Sequence, residues 1–375
     1  MRIVILGAGV MGTATAQLLA RRDDVDLLVI DPDPDRAETI VRDVGRGRAA
    51  RAGAGDPELP RLLDSADAVA ACIPYRLNLE AMEAALAAHV PYADLGGLFH
   101  MTLRQLELDG RFRDAGVPAV IGVGCCPGIS NVLARAAADR LDEVRSIDII
   151  DGAIEDADAF AVPYSVDTIL DEFARPAMVF EDGRLREVAA GSGAIRYRFP
   201  EPLGELEAFY TLHSEPATLP RTIPGVRDVR WRLALPPKIV DGFRLLVSLG
   251  LASEEPIDTP SGKAVPREVL RALVGGMPRP EGPPKDLEVL VVEAQGALEG
   301  RPARFSGSAT FRPTPEGIGG GPFGTSLPLV VAARWLAEDR VPAGVHPPEN
   351  AFPADQFLSA LQDEGVEVSL SVQDG

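Results

Sequence analysis

Short apolar runs alternate with segments of helical periodicity over the first third of the chain. The runs lie at residues 2–6, 25–30, 66–73, 91–95 and 118–121. Continuous apolar runs separated by helices are typical of parallel strands that are buried on both faces. The pattern therefore predicts an α/β domain with a doubly wound parallel sheet over residues 1–125.

The pattern changes after residue 125. A helical segment at 129–140 is followed by strand-like runs at residues 145–153, 177–181, 194–199, 228–235, 242–250, 286–297 and 303–311. Two more helical segments, 326–337 and 353–364, follow them. Runs joined mostly by turns predict an α+β domain with a mixed or antiparallel sheet over residues 126–324.

A glycine-rich turn with the pattern G-x-G-x-x-G connects the first strand to the first helix. Its first glycine allows a tight turn, its second lets the backbone approach a pyrophosphate, and its third permits close packing of helix and strand. The N–H groups at the helix start and the helix dipole attract an anion. A Rossmann-type domain is therefore predicted, with a dinucleotide bound by Gly7, Gly9, Val10, Met11 and Gly12.

The second strand ends at Asp31. A carboxylate there accepts hydrogen bonds from the adenosine ribose and repels a 2′-phosphate. Asp33 and Asp35 add negative charge, so NAD is predicted in preference to NADP, although Arg36 is a cation that would reach a 2′-phosphate. The alternative is a glycine-rich turn of another α/β domain, in which Asp31 caps a helix.

Three further residues are predicted near the cofactor. Asp56 precedes Pro57 and is expected to be a helix N-cap, with a place near the adenine as the second interpretation. Ile73 and Pro74 follow a buried strand, and a loop at that point would cover the nicotinamide half of the cofactor.

Composition narrows the class of protein. The chain has 375 residues, which favours two domains, and a net charge of −19, which disfavours nucleic acid and anionic membranes as partners. Three cysteines are too few for a disulfide framework. We find neither an apolar run of membrane-spanning length nor a signal peptide, so a cytoplasmic enzyme is expected.

Five short motifs occur in order along nearly the whole chain. They are the glycine turn, Asp94-Leu95-Gly96-Gly97, Pro127-Gly128-Ile129-Ser130-Asn131, Leu206-Glu207-Ala208-Phe209 and Gly344-Val345-His346-Pro347-Pro348-Glu349. In this order they resemble the saccharopine dehydrogenase superfamily, and within it the lysine 6-dehydrogenases. The resemblance implies hydride transfer between an amine carbon and nicotinamide, with oxidation of the L-lysine side-chain amine as the specific reaction.

The resemblance also implies a split organisation and a homodimer. Segment 325–375 would complete the dinucleotide-binding domain, and 126–324 would bind substrate and dimerise. Segment 210–215 is more polar than the lysine 6-dehydrogenase pattern, and segment 230–235 lacks a glycine–histidine pair found in the family. Both lie where substrate would be recognised, so the resemblance bears on cofactor and reaction class rather than on the amine.

An amine dehydrogenase needs an aligned hydride donor and acceptor and a group that exchanges the amine proton. His213 is the first candidate, because Thr211 and Glu215 would fix its tautomer and tune its pKa, with a structural polar turn as the alternative. Asp94 is expected to face the cleft and to orient the nicotinamide ribose or hold the substrate ammonium, with a loop-capping carboxylate as the alternative. Tyr164 is expected to wall the nicotinamide pocket.

The predicted substrate contacts are Asp167, Thr211, Glu215, Arg232 and Arg244. Asp167 would meet the amine unless it caps the following helix. Arg232 and Arg244 are candidates for a carboxylate clamp, because a guanidinium pairs bidentately with a carboxylate.

The segment 124–128 leads into the helix at residue 129, and its N–H groups are predicted to contact the cofactor or the substrate, with Gly128 assigned to the cofactor. Cys125 and Cys126 are interpreted as small packing residues, with reactive thiols as the alternative. No metal site is predicted, because no two histidines share ligand spacing and the cysteine pair has no partner motif.

The sequence thus predicts an NAD-dependent, homodimeric amine dehydrogenase acting on L-lysine or a related amino acid or diamine. The first alternative is a reductase that condenses an amine with a semialdehyde, as saccharopine reductases and carboxynorspermidine dehydrogenases do. Such an enzyme would need more than one arginine in the cleft and would usually prefer NADPH. The second alternative is a non-catalytic dinucleotide sensor, whose cleft would lack an acid/base group.

Overall fold

The computed structural model describes residues 1–154, 162–277 and 282–374. The first third of the chain alternates strands and helices as predicted. Its strands are β1 Arg2–Leu6, β2 Asp26–Asp31, β3 Arg48–Arg51, β4 Ala68–Ala71, β5 Tyr92–Asp94 and β6 Pro118–Val120. Its helices are α1 Val10–Ala20, α2 Pro34–Val44, α3 Leu59–Leu63, α4 Asn78–Ala87, α5 Phe99–Leu106 and α6 Asp109–Asp114, with a 3-10 turn at Tyr75–Leu77.

The rest of the chain mixes helices with hairpins and longer strands. The helices are α7 Ile129–Ala138, α8 Val166–Ala174, α9 Glu215–Thr222, α10 Pro237–Ser248, α11 Pro266–Gly275, α12 Gly320–Ala337, α13 Pro348–Ala351 and α14 Ala354–Asp363. The strands are β7 Glu143–Ile154, β8 Ala177–Glu181, β9 Arg184–Val188, β10 Ile195–Arg198, β11 Glu205–Ala208, β12 Asp228–Ala234, β13 Ile257–Thr259, β14 Gly262–Ala264, β15 Leu287–Leu298, β16 Arg301–Phe311, β17 Gly344–His346 and β18 Glu367–Asp374.

The first sheet is parallel throughout and has the order β17-β6-β5-β4-β1-β2-β3. The order reverses between β1 and β4, and ligands of such sheets bind at the carboxyl ends of the strands beside that point. The predicted doubly wound sheet is confirmed. Its carboxyl edge also carries the glycine turn after β1.

The second sheet has the order β18-β16-β15-β7-β12-β8-β9. Only β7 and β12 run parallel to each other, so the predicted mixed sheet is also confirmed. One face, with Ile149 and Trp231, joins the large apolar core, and the other, with Ile150 and Ala234, packs against Phe199 in a separate core. Because neighbouring strand residues point to opposite faces, each face offers a different chemical surface.

Helix α12 joins the two sheets. It packs on helix α1, on β4 of the parallel sheet, and on β15 and β16 of the mixed sheet. After α12 the chain contributes β17 to the parallel sheet and β18 to the mixed sheet. The domain division at residues 125 and 325 stays a prediction, but the segment after 325 serves both sheets rather than one.

The predicted strand at 242–250 is wrong. This segment lies largely in α10, where Ile239, Val240 and Phe243 are buried at helical spacing while Leu245 and Leu249 are exposed. A short apolar run without strict alternation fits a strand or a helix equally well, and packing decides between them.

Two smaller predictions also need correction. The interval between β5 and β6 holds two helices, α5 and α6, instead of one, and the predicted last helix is followed by β18. Asp56 is not a helix N-cap, because α3 begins at Leu59 and the Asp56 carboxylate accepts a hydrogen bond from the Gly53 N–H at 2.6 Å. Its place near the adenine stays a prediction.

Among the helices of the described residues, none combines the length and the apolar character needed to cross a membrane.

Candidate active site

The glycine turn after β1 is built by close approach of backbone atoms. Gly7 has φ +106°, and a Cβ at this position would lie 2.4 Å from the Cys72 carbonyl oxygen. A Cβ at Gly12 would lie 1.9 Å from the Gly7 carbonyl oxygen, whereas nothing lies within 4 Å of a Cβ at Gly9. Gly7 and Gly12 are therefore required by the protein itself, and the space at Gly9 is open to a ligand.

The residues beside this turn also fit a dinucleotide. Val10 is 65% exposed at the start of α1, which leaves an apolar side chain for a cofactor to cover. The main chain of Met11 accepts a hydrogen bond from Ser326 at 3.2 Å, which fixes the turn against α12. Ile73 is partly buried beside Gly7, and Pro74 is exposed at the mouth of the same edge.

Asp31 connects the end of β2 to the turn. Its carboxylate accepts hydrogen bonds from the Ala8 N–H at 2.7 Å and from the Asp33 N–H at 2.9 Å. Arg36 is paired with Asp33 at 3.5 Å, so its charge is partly compensated. These residues fit an adenosine ribose and a pyrophosphate, and a nicotinamide cofactor bound here supplies hydride transfer.

Gly9→Ala and Gly12→Ala are expected to separate binding from folding. Gly9→Ala should weaken dinucleotide binding by about tenfold or more, about 1.4 kcal/mol, with little change in stability, because its methyl group enters only the open space. Gly12→Ala should lower the free energy of unfolding by about 1–3 kcal/mol, because its methyl group overlaps the Gly7 carbonyl. Fluorescence titration with NADH and urea unfolding measure the two effects. Equal affinity in Gly9→Ala and wild type would contradict this assignment.

The prediction that Asp94 faces the cleft is wrong. The side chain is 1% exposed, and its oxygens accept hydrogen bonds from the N–H groups of Gly96 and Gly122, both at 2.8 Å, and from the Gln105 amide at 2.5 Å. Burial raises the pKa of Asp94, and these donors oppose the effect. Asp94 therefore holds together the loops after β5 and β6, which is the loop-capping alternative.

Gly128 has a similar structural role. Its φ is +135°, and a Cβ would lie 2.0 Å from the Gly124 carbonyl oxygen. Its N–H donates to the Asn131 side-chain oxygen at 3.1 Å, so this group is occupied within the chain and is not free for the cofactor as predicted.

His213 lies at the centre of a buried polar site. Its Nδ1 is 2.5 Å from a carboxylate oxygen of Glu215, the first residue of α9, and its ring stacks on Trp231 at 3.8 Å between centroids. Trp231 donates to the Thr211 hydroxyl at 2.9 Å. Glu215 also accepts from the Ser130 hydroxyl at 2.7 Å. The imidazole is therefore fixed both in its plane and at Nδ1.

A second hydrogen-bond network supports this arrangement from behind. The Asn131 amide donates to Glu349 at 2.9 Å and to Thr218 at 3.2 Å, and Thr222 donates to Glu349 at 2.9 Å. Burial raises the pKa of Glu349, which is 2% exposed. Helices α7, α9 and α13 are thus joined directly beneath the His213–Glu215 pair.

Tyr164 and Glu172 form the other wall of the site. The Tyr164 hydroxyl donates to Glu172 at 2.8 Å, and Glu172 lies on α8 with 2% exposure. Burial raises the pKa of Glu172 to about 7, although the positive charge of His213 and the hydrogen bonds from Tyr164 and Thr211 oppose it. Glu215 contacts His213 directly, whereas Thr211 bonds to Trp231 and Tyr164 bonds to Glu172. The predicted roles of Thr211 and Glu215 as substrate contacts and of Tyr164 as a wall of the nicotinamide pocket stay predictions.

Two more acidic side chains, Asp151 and Glu288, belong to this site. Asp151 on β7 is 7% exposed, and burial together with the charges of Glu288, Glu172 and Glu215 raises its pKa well above the usual range. We call Asp151, Glu172, Glu215 and Glu288 the acidic cluster. Asp151 shares the sheet face of Ile149 and Trp231, which is the face turned towards the dinucleotide half.

The electrostatic environment of His213 favours its protonated form. Burial lowers the pKa of the imidazole, but the charge and the hydrogen bond of Glu215 and the charge of Glu172 raise it by more. The net effect is a pKa above the usual value of 6.5.

The two predicted arginine clamps do not lie in this site. Arg232 is on the opposite face of β12 from Trp231, where it donates to Asp148 at 2.9 Å and to the Tyr210 hydroxyl at 2.8 Å. Arg244 is exposed on α10 and lies over the Phe209 ring at 5.2 Å. Both predictions are wrong. Arg232 follows Trp231 on β12 and therefore points to the opposite face of the sheet, and Arg244 lies on the exposed side of α10.

Asp167 is also engaged by the protein. It accepts from Arg271 at 2.8 Å and lies 3.7 Å from Arg267, so arginines rather than a substrate amine are its partners. It does not cap α8, since the Ser165 hydroxyl accepts from the Thr168 N–H there.

Asp171, next to Glu172 on α8, ties the site to the parallel sheet. This fully buried carboxylate accepts from Tyr75 at 2.5 Å and Arg76 at 2.8 Å, both in the loop after β4. It also accepts from Arg175 at 3.0 Å and Arg267 at 2.7 Å. The acidic cluster is therefore held over the carboxyl ends of β4 to β6, on the nicotinamide side of the switch point.

Sequence reasoning missed Asp151, Glu172 and Asp171. Asp151 is an isolated acid in a strand otherwise rich in apolar residues, and a charge in a buried strand is a signal that it has a specific role. Glu172 and Asp171 are adjacent acids on an amphipathic helix, and nothing in their local pattern separates them from surface residues.

Glu172→Gln is expected to flatten the pH dependence of stability. The folded protein holds the Glu172 proton up to about pH 7, whereas an exposed glutamate with a pKa of 4.5 releases it earlier. Stability from this group is therefore present below pH 4.5 and lost as pH rises towards 7, by an amount on the order of 3 kcal/mol. Urea unfolding at about pH 5 and about pH 8 measures the difference. An unchanged slope in Glu172→Gln would contradict the raised pKa.

These features together define an oxidoreductase with a dinucleotide-binding sheet and a buried acid/base site over its nicotinamide end. The family model described as saccharopine dehydrogenase NADP binding domain matches residues 3–120. The model described as saccharopine dehydrogenase C-terminal domain matches residues 124–366. The chain therefore belongs to the saccharopine dehydrogenase family and is an NAD(P)-dependent amine dehydrogenase of that family.

Individual relatives are more distant. Carboxyaminopropylagmatine dehydrogenase from Synechocystis sp. is 24% identical over 288 residues, covering 73% of this chain and 72% of the relative. Carboxynorspermidine synthase from Vibrio cholerae is 26% identical over 302 residues with the same coverage. Apo saccharopine dehydrogenase (L-Glu forming) from Saccharomyces cerevisiae shares the fold, with a TM-score of 0.76 over 99% of both chains at 16% identity. The nearness to lysine 6-dehydrogenases stays a prediction.

Proposed function

We propose that this enzyme reduces the C=N bond formed between a diamine or polyamine and an aldehyde. The observation that carries the proposal is the acidic cluster beside His213. Buried carboxylates favour a substrate with more than one ammonium group and disfavour a substrate carboxylate nearby. The two curated relatives are named for derivatives of agmatine and norspermidine, which are amines of this kind.

His213 is proposed to protonate the nitrogen of the C=N bond while hydride is transferred to its carbon. Its Nδ1 is held by Glu215, so Nε2 is proposed as the atom that exchanges the proton. Its raised pKa favours the protonated form of the imidazole. Reduction requires an acid at this place and oxidation requires a base, so the arrangement favours the reductive direction.

Asp151 is proposed to receive an ammonium group of the amine. It is nine-tenths buried, and one of its oxygens, Oδ1, has no hydrogen-bond partner within the parts of the chain that the structure describes. An ammonium offers three donors and a compensating charge to such an oxygen.

NADH is proposed as the hydride donor rather than NADPH. Asp31 and Asp33 place negative charge where a 2′-phosphate would lie, and Arg36 is already paired with Asp33. The ratio of kcat/KM for NADH and NADPH tests this choice. A homodimer, which the family resemblance implies, is also proposed and is tested by light scattering at several protein concentrations.

The reaction is tested by following NADH consumption with an amine and an aldehyde supplied together, and an amino-acid semialdehyde is compared with an aldehyde that has no carboxylate. The panel contains agmatine, norspermidine, a short diamine, a monoamine and L-lysine, and the reverse assay supplies L-lysine with NAD. NADH consumption with diamines or polyamines supports the proposal. In Asp151→Asn, this consumption should fall more for doubly charged amines than for singly charged amines.

Oxidation of L-lysine is the second candidate, because its side-chain ammonium also fits the acidic cluster. NAD reduction by L-lysine alone, with no condensation activity, would favour this candidate. Silence in every assay, despite measured NADH binding, would reject both reactions.

A further inference from the structure

Two thiols and a carboxylate meet at the edge of the acidic cluster. Cys125 and Cys126 lie in the turn after β6, and Asp151 projects from β7 of the other sheet. The two Sγ atoms are 3.8 Å apart, and one ligand atom from each of the three residues lies within 4.8 Å of the others. Cys125 is 3% exposed, and Cys126 is partly buried.

The Asp151 carboxylate gives an independent reason to expect a cation. Its Oδ1 is buried and lacks a hydrogen-bond partner in the described residues. A buried carboxylate oxygen without a partner is unfavourable unless a positive charge compensates it. The charges of Glu172, Glu215 and Glu288 add to the negative field at the same place.

We propose that Cys125, Cys126 and Asp151 form a binding site for a thiophilic divalent cation of the zinc type. Two sulfurs bound at about 2.3 Å to a tetrahedral zinc lie about 3.8 Å apart, which is the separation seen here. The carboxylate oxygen is the third ligand, and the fourth position is left to water. Both thiols and the Asp151 carboxyl lose their protons to solvent as the metal binds, so the two thiolates and one carboxylate offset the charge of the cation.

This site overlaps the place proposed for the substrate ammonium, because both use Asp151. Metal and amine therefore exclude each other, and a zinc-type cation acts as an inhibitor that competes with the amine. This consequence rests on the proposed function, whereas metal binding itself does not.

The test titrates the reduced, metal-free protein with Cd²⁺ and follows the ultraviolet absorption of cadmium–thiolate bonds. One Cd²⁺ per chain is expected, and Cys125→Ser, Cys126→Ser and Asp151→Asn should each weaken binding by about tenfold or more. Cys72→Ser is the matched control, since Cys72 bonds to Thr15 at 3.4 Å and lies outside the site. NADH binding by each variant verifies that it is folded.

The outcomes test the metal site separately from the proposed reaction. Loss of the absorption band in both cysteine variants, with the band kept in Cys72→Ser, supports the site. A band of equal strength and affinity in Cys125→Ser and Cys126→Ser overturns it. Because the titration contains no amine, a failure here is distinct from a failure of the proposed reaction, which appears only in the turnover assay.

Discussion

His213→Asn is expected to lower turnover by about 100- to 10,000-fold, the usual contribution of a general acid or base. Asparagine keeps a side chain able to hydrogen bond to Glu215, but it has no proton to give at the Nε2 position. Dinucleotide affinity should stay unchanged, since the glycine turn belongs to the parallel sheet. Single-turnover oxidation of bound NADH in the presence of amine and aldehyde measures the effect without interference from product release.

The matched control for this variant is His100→Asn. His100 is an exposed residue at the start of α5 and packs edge-to-face on Phe99. Its replacement should leave turnover unchanged. If His213→Asn retained turnover close to wild type, another group would have to be the proton donor, and Tyr164 would be examined next.

Asp171→Asn is expected to lower the free energy of unfolding by about 3–5 kcal/mol, because it removes one partner from a buried ionic network. Four side chains donate to this carboxylate, and Arg267 among them is 3% exposed. Asparagine leaves that guanidinium buried without its main counter-charge. Urea unfolding at neutral pH measures the loss.

Asp171 should also make the stability of the protein sensitive to acid. Burial acts to raise the pKa of Asp171, but hydrogen bonds from Arg267, Tyr75 and Arg76 and the charge of Arg267 lower it to about 2. Its contribution to stability is therefore present above the unfolded value of 3.8 and lost as pH falls towards 2. Asp171→Asn should remove this part of the acid sensitivity.

Asp355→Asn is the matched control for Asp171→Asn. The Asp355 side chain is 71% exposed and pairs with Arg140 at 2.6 Å. An exposed pair of this kind contributes about 0–1 kcal/mol. An equally small loss in Asp171→Asn would show that the network after β4 does not hold the two sheets together.

Local patterns were sufficient to predict the parallel sheet and the His213–Glu215 pair. Apolar runs, the glycine turn and Asp31 are signals contained in short windows, and the two residues of the pair are separated by one position. The confirmed doubly wound parallel sheet follows from the alternation of strands and helices. The catalytic role of the pair stays a prediction.

The rest of the site depends on contacts that no short window contains. Asp94 follows a strand, where a carboxylate faces either the cleft or the adjoining loops, and Gln105 and Gly122 decide the matter. Trp231 and Arg232 are neighbours on β12, and only the pairing with β7 shows which of them faces the acidic cluster. These choices are made by tertiary packing, so composition and periodicity could not supply them.

The network beneath the His213–Glu215 pair has a consequence for how the enzyme is made. Asn131 bonds to Thr218, 87 residues further along the chain, and to Glu349, 218 residues further along. During synthesis the dinucleotide half emerges first and is able to begin folding on the ribosome. The network beneath the His213–Glu215 pair lacks its central carboxylate, Glu349, until that residue has left the ribosome. The active site is therefore completed only after residue 349 has emerged, and a nascent chain that stalls before that point lacks a competent site for hydride transfer.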